Sequence, residues 1–315
     1  DPPATPHPLW SRGLGDVYKR QVTSSVTGIF RANVATRAEA MRFLGQAGSA
    51  MPRVMGIVNV TPDSFSDGGR FDTTEAAVAR ALALLDEGAA VVDVGGESTR
   101  PGATPVDAST ERDRVVPVIE GIVAARPDTI VSIDTTKAEV AEAAIVAGAT
   151  IVNDVSASLE SVAAAHGAGW IAMHAGGPSE TMQNDPTYDD VVEEVHAFLV
   201  DAVARGRAAG VEQIWVDPGV GFGKTLEHNL DLVANLDRFT ALAPVLLGVS
   251  RKRSIGDLHA ASDATVHGGV LEPAPTDDRL EGSLAMATWG GFLGVDMVRV
   301  HDVRATVHAV GVIAR

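Results

Sequence analysis

Apolar and polar positions follow one repeating order along most of this chain. A helix-spaced stretch ends at a glycine, a short β-branched run follows, and the run ends in Asp, Asn or His. Gly88, Gly148, Gly169, Gly210 and Gly294 precede Val91–Val94, Thr150–Val152, Trp170–Met173, Ile214–Val216 and Met297–Val300. Their polar terminators are Asp93, Asn153, His174, Asp217 and His301. Val54–Val60, Ile130–Ile133 (closed by Asp134) and Val245–Val249 are similar runs without the entry glycine. Continuous apolar runs mark strands buried on both faces, which implies parallel pairing. Between them, Asp72 and Glu75 suggest a capping box, Val78, Leu82 and Leu85 share a helix face, and Gly88 sits where a C-terminal cap belongs. Eight strand–helix units in about 260 residues predict a (β/α)8 TIM barrel. A doubly wound open sheet is the alternative, but no G-x-G-x-x-G opens the first unit.

This periodicity is missing before Met51. Pro2, Pro3, Pro6 and Pro8 crowd the start, and residues up to Gln21 follow neither period. Residues 1–50 therefore read as an irregular leader, disordered over 1–21 with a short helix near 33–44, and the barrel as 51–315.

Composition narrows the function classes. The 315 residues are 45% hydrophobic and 21% charged, with no cysteine and a net charge of −16. Such a chain can bury a large core. It can form neither disulfides nor thiolate metal sites, and its acidity argues against a broad nucleic-acid surface. With no apolar run of about 18 residues and no secretory pattern, it reads as soluble and cytoplasmic. The charge alone would repel anionic ligands.

In a barrel, chemistry sits at the carboxyl ends of the strands. Asp, Asn or His at six of the eight predicted ends suggests a shared polar ligand, because each needs a partner when desolvated. Plainer readings stand beside this one. Asn153-Asp154 suits a cap, Asp93 a brace for neighbouring loops, and Arg251 and Arg253 solvated cations. His259 and His267 fall in what reads as a long exposed loop from Gly256 to Arg279. Gly223-Lys224-Thr225 is not a phosphate-binding P-loop, since Pro218 replaces the required first glycine.

The strand-end motifs are long. Strand 1 gives Asn59-Val-Thr-Pro-Asp63-Ser-Phe65-Ser-Asp67-Gly-Gly69, and strand 2 gives Asp93-Val-Gly-Gly-Glu97-Ser98-Thr99-Arg100-Pro101-Gly102. Strands 3 and 4 end in Ser132-Ile-Asp134-Thr135 and Val152-Asn153-Asp154. Then come Asp217-Pro-Gly-Val-Gly-Phe222-Gly-Lys224, Ser250-Arg251-Lys252 and Arg299-Val-His301-Asp302. From about Met51 onward this set resembles the dihydropteroate synthase family of pterin-binding enzymes.

The resemblance implies condensation of a dihydropterin-CH2-pyrophosphate with p-aminobenzoate, giving 7,8-dihydropteroate and pyrophosphate. It implies catalytic roles for Asp67, Thr99, Arg100, Arg299 and His301, and substrate contacts from Asn59, Ser98, Asp134, Asn153, Asp217, Ser250 and Lys252. Asn59 would hold Mg2+ beside the pyrophosphate, as suits a hard cation. Phe65, Pro101 and Phe222, with the Lys252 stem, would wall the aryl pocket, and the loops at 63–69 and 98–102 would close over it. A homodimer is implied, with Ala285, Met286, Trp289 and Phe292 suited to either core or interface. Arg253 stands where some relatives carry Ser near the benzoate carboxylate, and would either serve a carboxylate through its charge or point away. No Phe-Gly insertion follows Asp217, so sulfonamide sensitivity is expected. A corrinoid-linked methyltransferase domain would share the pterin readers but needs no pyrophosphate site. A non-catalytic paralogue would keep the pocket without turnover, and an unrelated barrel enzyme would act on another phosphorylated substrate. The net acidity is compatible with anionic substrates if Arg100, Lys252, Arg299 and His301 gather at the strand ends, since exposed charges beyond about 10 Å are screened.

Overall fold

The computed structural model describes residues 51–61, 70–98, 105–177, 181–268 and 272–313, with the backbone alone for 70–73. The expected disorder of 1–21 and the helix near 33–44 lie outside these residues, as do Phe65, Asp67, Thr99, Arg100 and Pro101. The chain runs β1 (Arg53–Asn59), α1 (Arg70–Asp86), β2 (Val91–Gly95), α2 (Ala108–Ala125), β3 (Ile130–Asp134) and α3 (Ala138–Ala147). It continues through β4 (Ile151–Asp154), α4 (Glu160–His166), β5 (Gly169–Met173), α5 (Val191–Ala209) and β6 (Ile214–Asp217). The last elements are α6 (Leu226–Ala234), α7 (Leu236–Thr240), β7 (Leu246–Leu247), α8 (Arg253–His267), α9 (Leu280–Phe292), β8 (Met297–Val300) and α10 (Val303–Ile313).

The strands pair in the order β6-β5-β4-β3-β2-β1-β8-β7, and the described ladders are parallel. A parallel bridge between Val216 and Val245 closes the ring. This is the expected (β/α)8 barrel. Strand 7 is shorter than the predicted Val245–Val249. Past Leu247 its bonding turns to side chains, and Ser250 Oγ accepts from the His301 N–H at 3.2 Å.

The two-residue period of each strand builds the barrel interior in layers. Met55, Val91, Ile151, Ile171, Trp215, Leu246 and Met297 form an apolar lower layer. Two residues further along five of these strands stand Asp93, Asn153, Met173, Asp217 and Arg299. The alternate positions, such as Val92, Val152, Trp170, Val216 and Val298, face the helices in the main core.

Helix α1 departs from two expectations. It begins at Arg70, so Asp72 lies in its first turn and is not the N-cap. Its fully buried positions are Ala77, Ala81 and Leu84, with Val78 and Leu85 flanking and Leu82 only half-buried. Small alanines let the helix approach β1 closely: a Cβ on Gly56 would stand 3.0 Å from Leu84 Cδ1. Gly88 does cap the helix, at φ +104°.

The first half of the expected Gly256–Arg279 loop is instead part of α8, where Ile255, Ala260 and Ala261 are buried. Alanines in a polar run supply helix propensity and a narrow apolar stripe. His267 is exposed, but His259 is half-buried, with Nδ1 3.0 Å from the Asp278 carbonyl.

Candidate active site

A cavity of about 910 Å³ opens over the carboxyl ends of the strands. Of the residues the sequence singled out, Asn59, Ser98, Phe222, Ser250, Lys252, Arg299 and His301 line it. Asp134, Asn153 and Asp217 lie beneath its wall, only 5, 4 and 5% exposed.

Arg299 organises this floor. Its Nε donates to Asp93 Oδ2 and its Nη2 to Asp134 Oδ2, both at 2.6 Å. Asn153 Nδ2 donates to the same Asp93 oxygen at 3.0 Å. Asp93 is therefore buried in the barrel interior and does not brace loops. Asp93 Oδ1 and Asp134 Oδ1 find no hydrogen-bond partner among the described residues. Two carboxylates share one guanidinium, so burial outweighs the Arg299 charge and pushes the Asp134 carboxyl up to about 7, with Asp93 and Glu111 adding to the rise. Burial also raises Asp217, against the Gly219 N–H that its Oδ1 accepts at 2.7 Å and the Lys252 charge.

Neighbouring residues carry the plainer roles. Asp154 faces outward, accepts from the N–H groups of Ser158 and Leu159 at 2.7 Å, and so serves the start of α4. Arg251 is tied to Asp302 by two bonds of 2.9 and 2.6 Å and is not a freely solvated cation. Arg253 is exposed at the cavity mouth. Ser250 Oγ lies 3.1 Å from His301 Nδ1, and Arg80 holds the His301 carbonyl at 3.1 Å.

An aromatic wall of the cavity comes from the β6–α6 connection. Lys252 Nζ stands 4.0 Å from the centroid of the Phe222 ring, a cation–π contact. Gly221, at φ +85°, lets the Lys252 stem pass: a Cβ there would sit 3.1 Å from Lys252 Cδ.

Sequence reasoning missed several parts of this region. Lys137 bridges Glu97 and the buried Glu111, while Glu97 Oε2 accepts from the Val106 N–H at 3.1 Å. The two ends of the β2–α2 connection are thereby held together. The residues lie far apart in the chain, and no local motif joins them. Lys224 stood out only as the end of the strand 6 motif and in a false P-loop, with no role assigned, and His174 only as a strand terminator; the two are in contact.

A (β/α)8 barrel with one cationic, aromatic-walled cavity above buried Asp and Asn side chains defines a small-molecule enzyme of the pterin-binding class. The sequence profile described as "Pterin binding enzyme" matches residues 55–301, and the chain belongs to that family. Within it, the chain is 44% identical over 269 residues to the dihydropteroate synthase of Escherichia coli (strain K12), covering 83% of this chain and 90% of the relative. The Xanthomonas albilineans dihydropteroate synthase solved with 4-aminobenzoic acid is 46% identical, with a TM-score of 0.74 over 83% of this chain and 91% of that one. The structure of that enzyme with 7,8-dihydropteroate is 43% identical, with a TM-score of 0.71 over 83% and 92% of the two chains. The chain belongs to the dihydropteroate synthase family.

Proposed function

We propose that the protein joins a dihydropterin-CH2-pyrophosphate to p-aminobenzoate, forming 7,8-dihydropteroate and releasing pyrophosphate. The observation that carries this reading is the composition of the cavity over the strand ends. Arg299 and Lys252 supply positive charge there, His301 an imidazole, Phe222 an aromatic wall, and Asp134, Asn153 and Asp217 a hydrogen-bonding floor.

Breaking the methylene C–O bond sends its electron pair to pyrophosphate and leaves positive charge on the pterin methylene. Arg299 and His301 stabilise the departing anion, and the Asp134 carboxylate suits the cation. The arylamine nitrogen forms the new C–N bond and then releases its proton to solvent. Its lone pair is free at neutral pH, so no general base is required. Asp217, Asn153 and Lys252 offer the acceptors and donors that match an aminopyrimidinone edge.

Asn59 provides one neutral oxygen on the cavity wall, beside Thr61 and Ser98. The described residues hold no cluster of three or more His, Asp or Glu suited to a metal. That donor set fits a Mg2+ ion carried mainly by substrate phosphates and water, with Asn59 as its protein ligand. When bound, the ion would neutralise charge on the pyrophosphate.

The reading includes a homodimer and a cytoplasmic location. Among the described residues no helix is long and apolar enough to cross a membrane, and Trp289 stacks on Phe292 at 5.7 Å along α9. Light scattering tests the dimer. The decisive assay supplies pterin pyrophosphate, labelled p-aminobenzoate and Mg2+ together and singly. Labelled dihydropteroate and pyrophosphate are expected only from the full mixture, and their absence at saturation would sink the proposal.

A further inference from the structure

Lys224 is a buried charged group in this region that the proposed chemistry leaves unused. It is only 3% exposed. Its ammonium has three N–H groups and meets three acceptors. These are His174 Nδ1 at 2.9 Å, the Phe222 carbonyl at 3.0 Å and the His174 carbonyl at 3.4 Å. Burial pushes His174 down to about 3, so the ring is neutral and Nδ1 is available to accept. The ring is steadied by Phe198 of α5, edge-on at 4.9 Å.

These bonds join two connections that both follow strands at the cavity. His174 begins the β5–α5 connection, and Phe222 lies in the β6–α6 connection. More stitches run alongside. Gln183 donates to the Gly221 carbonyl at 2.9 Å, Tyr188 to the Gly223 carbonyl at 2.9 Å, and the Gly176 N–H to the Phe222 carbonyl at 3.3 Å. The contact is so close that a Cβ on Gly219, at φ +69°, would fall 1.8 Å from the His174 carbonyl oxygen. The Phe222 carbonyl that Lys224 grips belongs to the residue whose ring carries Lys252.

We propose that Lys224, gripping His174 and the Phe222 carbonyl, is a positioning residue that sets the Phe222 ring for the arylamine substrate. The inference rests on the synthase reading above. Lys224 borders the same cavity but is almost wholly buried, and its hydrogen bonds go to protein acceptors, so it acts through Phe222 rather than on substrate. Burial pushes the Lys224 ammonium down to about 7, against the Asp217 charge that supports it and with Lys252 adding to the fall.

The test measures KM for p-aminobenzoate and for the pterin pyrophosphate separately, in wild type, Lys224→Met, His174→Leu and their double variant. Each single change should raise the arylamine KM at least tenfold, with the pterin KM within about threefold of wild type. The double variant should be no worse than the weaker single variant by more than about twofold, because both changes break one contact. Tyr188→Phe, which removes one stitch without opening the core, should raise the arylamine KM about threefold. It keeps the question answerable if Lys224→Met fails to fold. An unchanged arylamine KM in Tyr188→Phe and His174→Leu would overturn the proposal. Both KM values and the melting temperature moving in parallel across the series would also overturn it, since that marks a role in folding alone. Wild type that makes no dihydropteroate would instead fail the synthase reading.

Discussion

A single carboxylate oxygen, Asp93 Oδ2, holds both Arg299 Nε and Asn153 Nδ2, at 2.6 and 3.0 Å. One buried acid thus orients the cation proposed for the leaving group and the amide proposed for the pterin edge. Removing Asp93 leaves Arg299 with Asp134 as its remaining acid and strands the buried Arg299 Nε and Asn153 Nδ2 donors, a loss of about 2 kcal/mol. Asp93→Ala should lower stability by about that amount in urea unfolding. It should also weaken pterin pyrophosphate binding more than p-aminobenzoate binding, as titration calorimetry would register. Equal weakening of both ligands would separate Asp93 from the pterin half.

His301 and Arg299 are assigned to charge that grows as pyrophosphate leaves. Deleting one such donor typically lowers the rate about 100-fold or more. His301→Ala and Arg299→Lys should therefore reduce kcat by roughly that factor, with the arylamine KM nearly unchanged. The lysine keeps a charge between Asp93 and Asp134 but loses the two-pronged fit. Steady-state kinetics with both substrates varied checks this, and wild-type kcat in both variants would remove the assignment.

Much of this barrel is legible in the sequence because a strand buried on both faces writes a continuous apolar run. Ile130–Asp134 and Met297–Val300 could be placed almost to the residue for that reason. Strand 7 could not, since Ser250 replaces ladder bonds with side-chain ones. Nor could α8, whose small alanines carry too little apolar signal to separate a helix from a loop. Motifs named the residues on the cavity wall, including Asn59, Phe222 and Lys252. What held those residues in place stayed hidden: Asp93 meets Arg299 across 206 positions and Lys224 meets His174 across 50. Such pairs exist only once the barrel closes.

The Asp134 carboxyl, raised to about 7, makes a signed prediction for stability. Its folded value lies above the unfolded 3.8, so the folded state holds this proton longer than the unfolded chain does. The resulting contribution is fully present below the unfolded value and is lost as pH rises through the folded one. Asp134→Asn cannot titrate. The stability difference, wild type minus variant, should therefore fall between about pH 4 and pH 7 and then level off. Urea midpoints at unit pH steps would show this, and a difference independent of pH would refute it.

Phe222 separates the two halves of the proposed substrate pair most cleanly. Its ring packs with Met173 and Met182 on one side and carries Lys252 Nζ at 4.0 Å on the other. Phe222→Leu keeps apolar volume but removes the π face, whose cation contact contributes about 1 kcal/mol at a partly exposed site. The arylamine KM should rise roughly fivefold, the factor corresponding to about 1 kcal/mol, while the pterin KM stays fixed. Sulfamethoxazole, expected to compete for the aryl pocket, should lose affinity by a similar factor. A loss confined to p-aminobenzoate, with the sulfonamide unaffected, would mean that the two molecules do not share this wall.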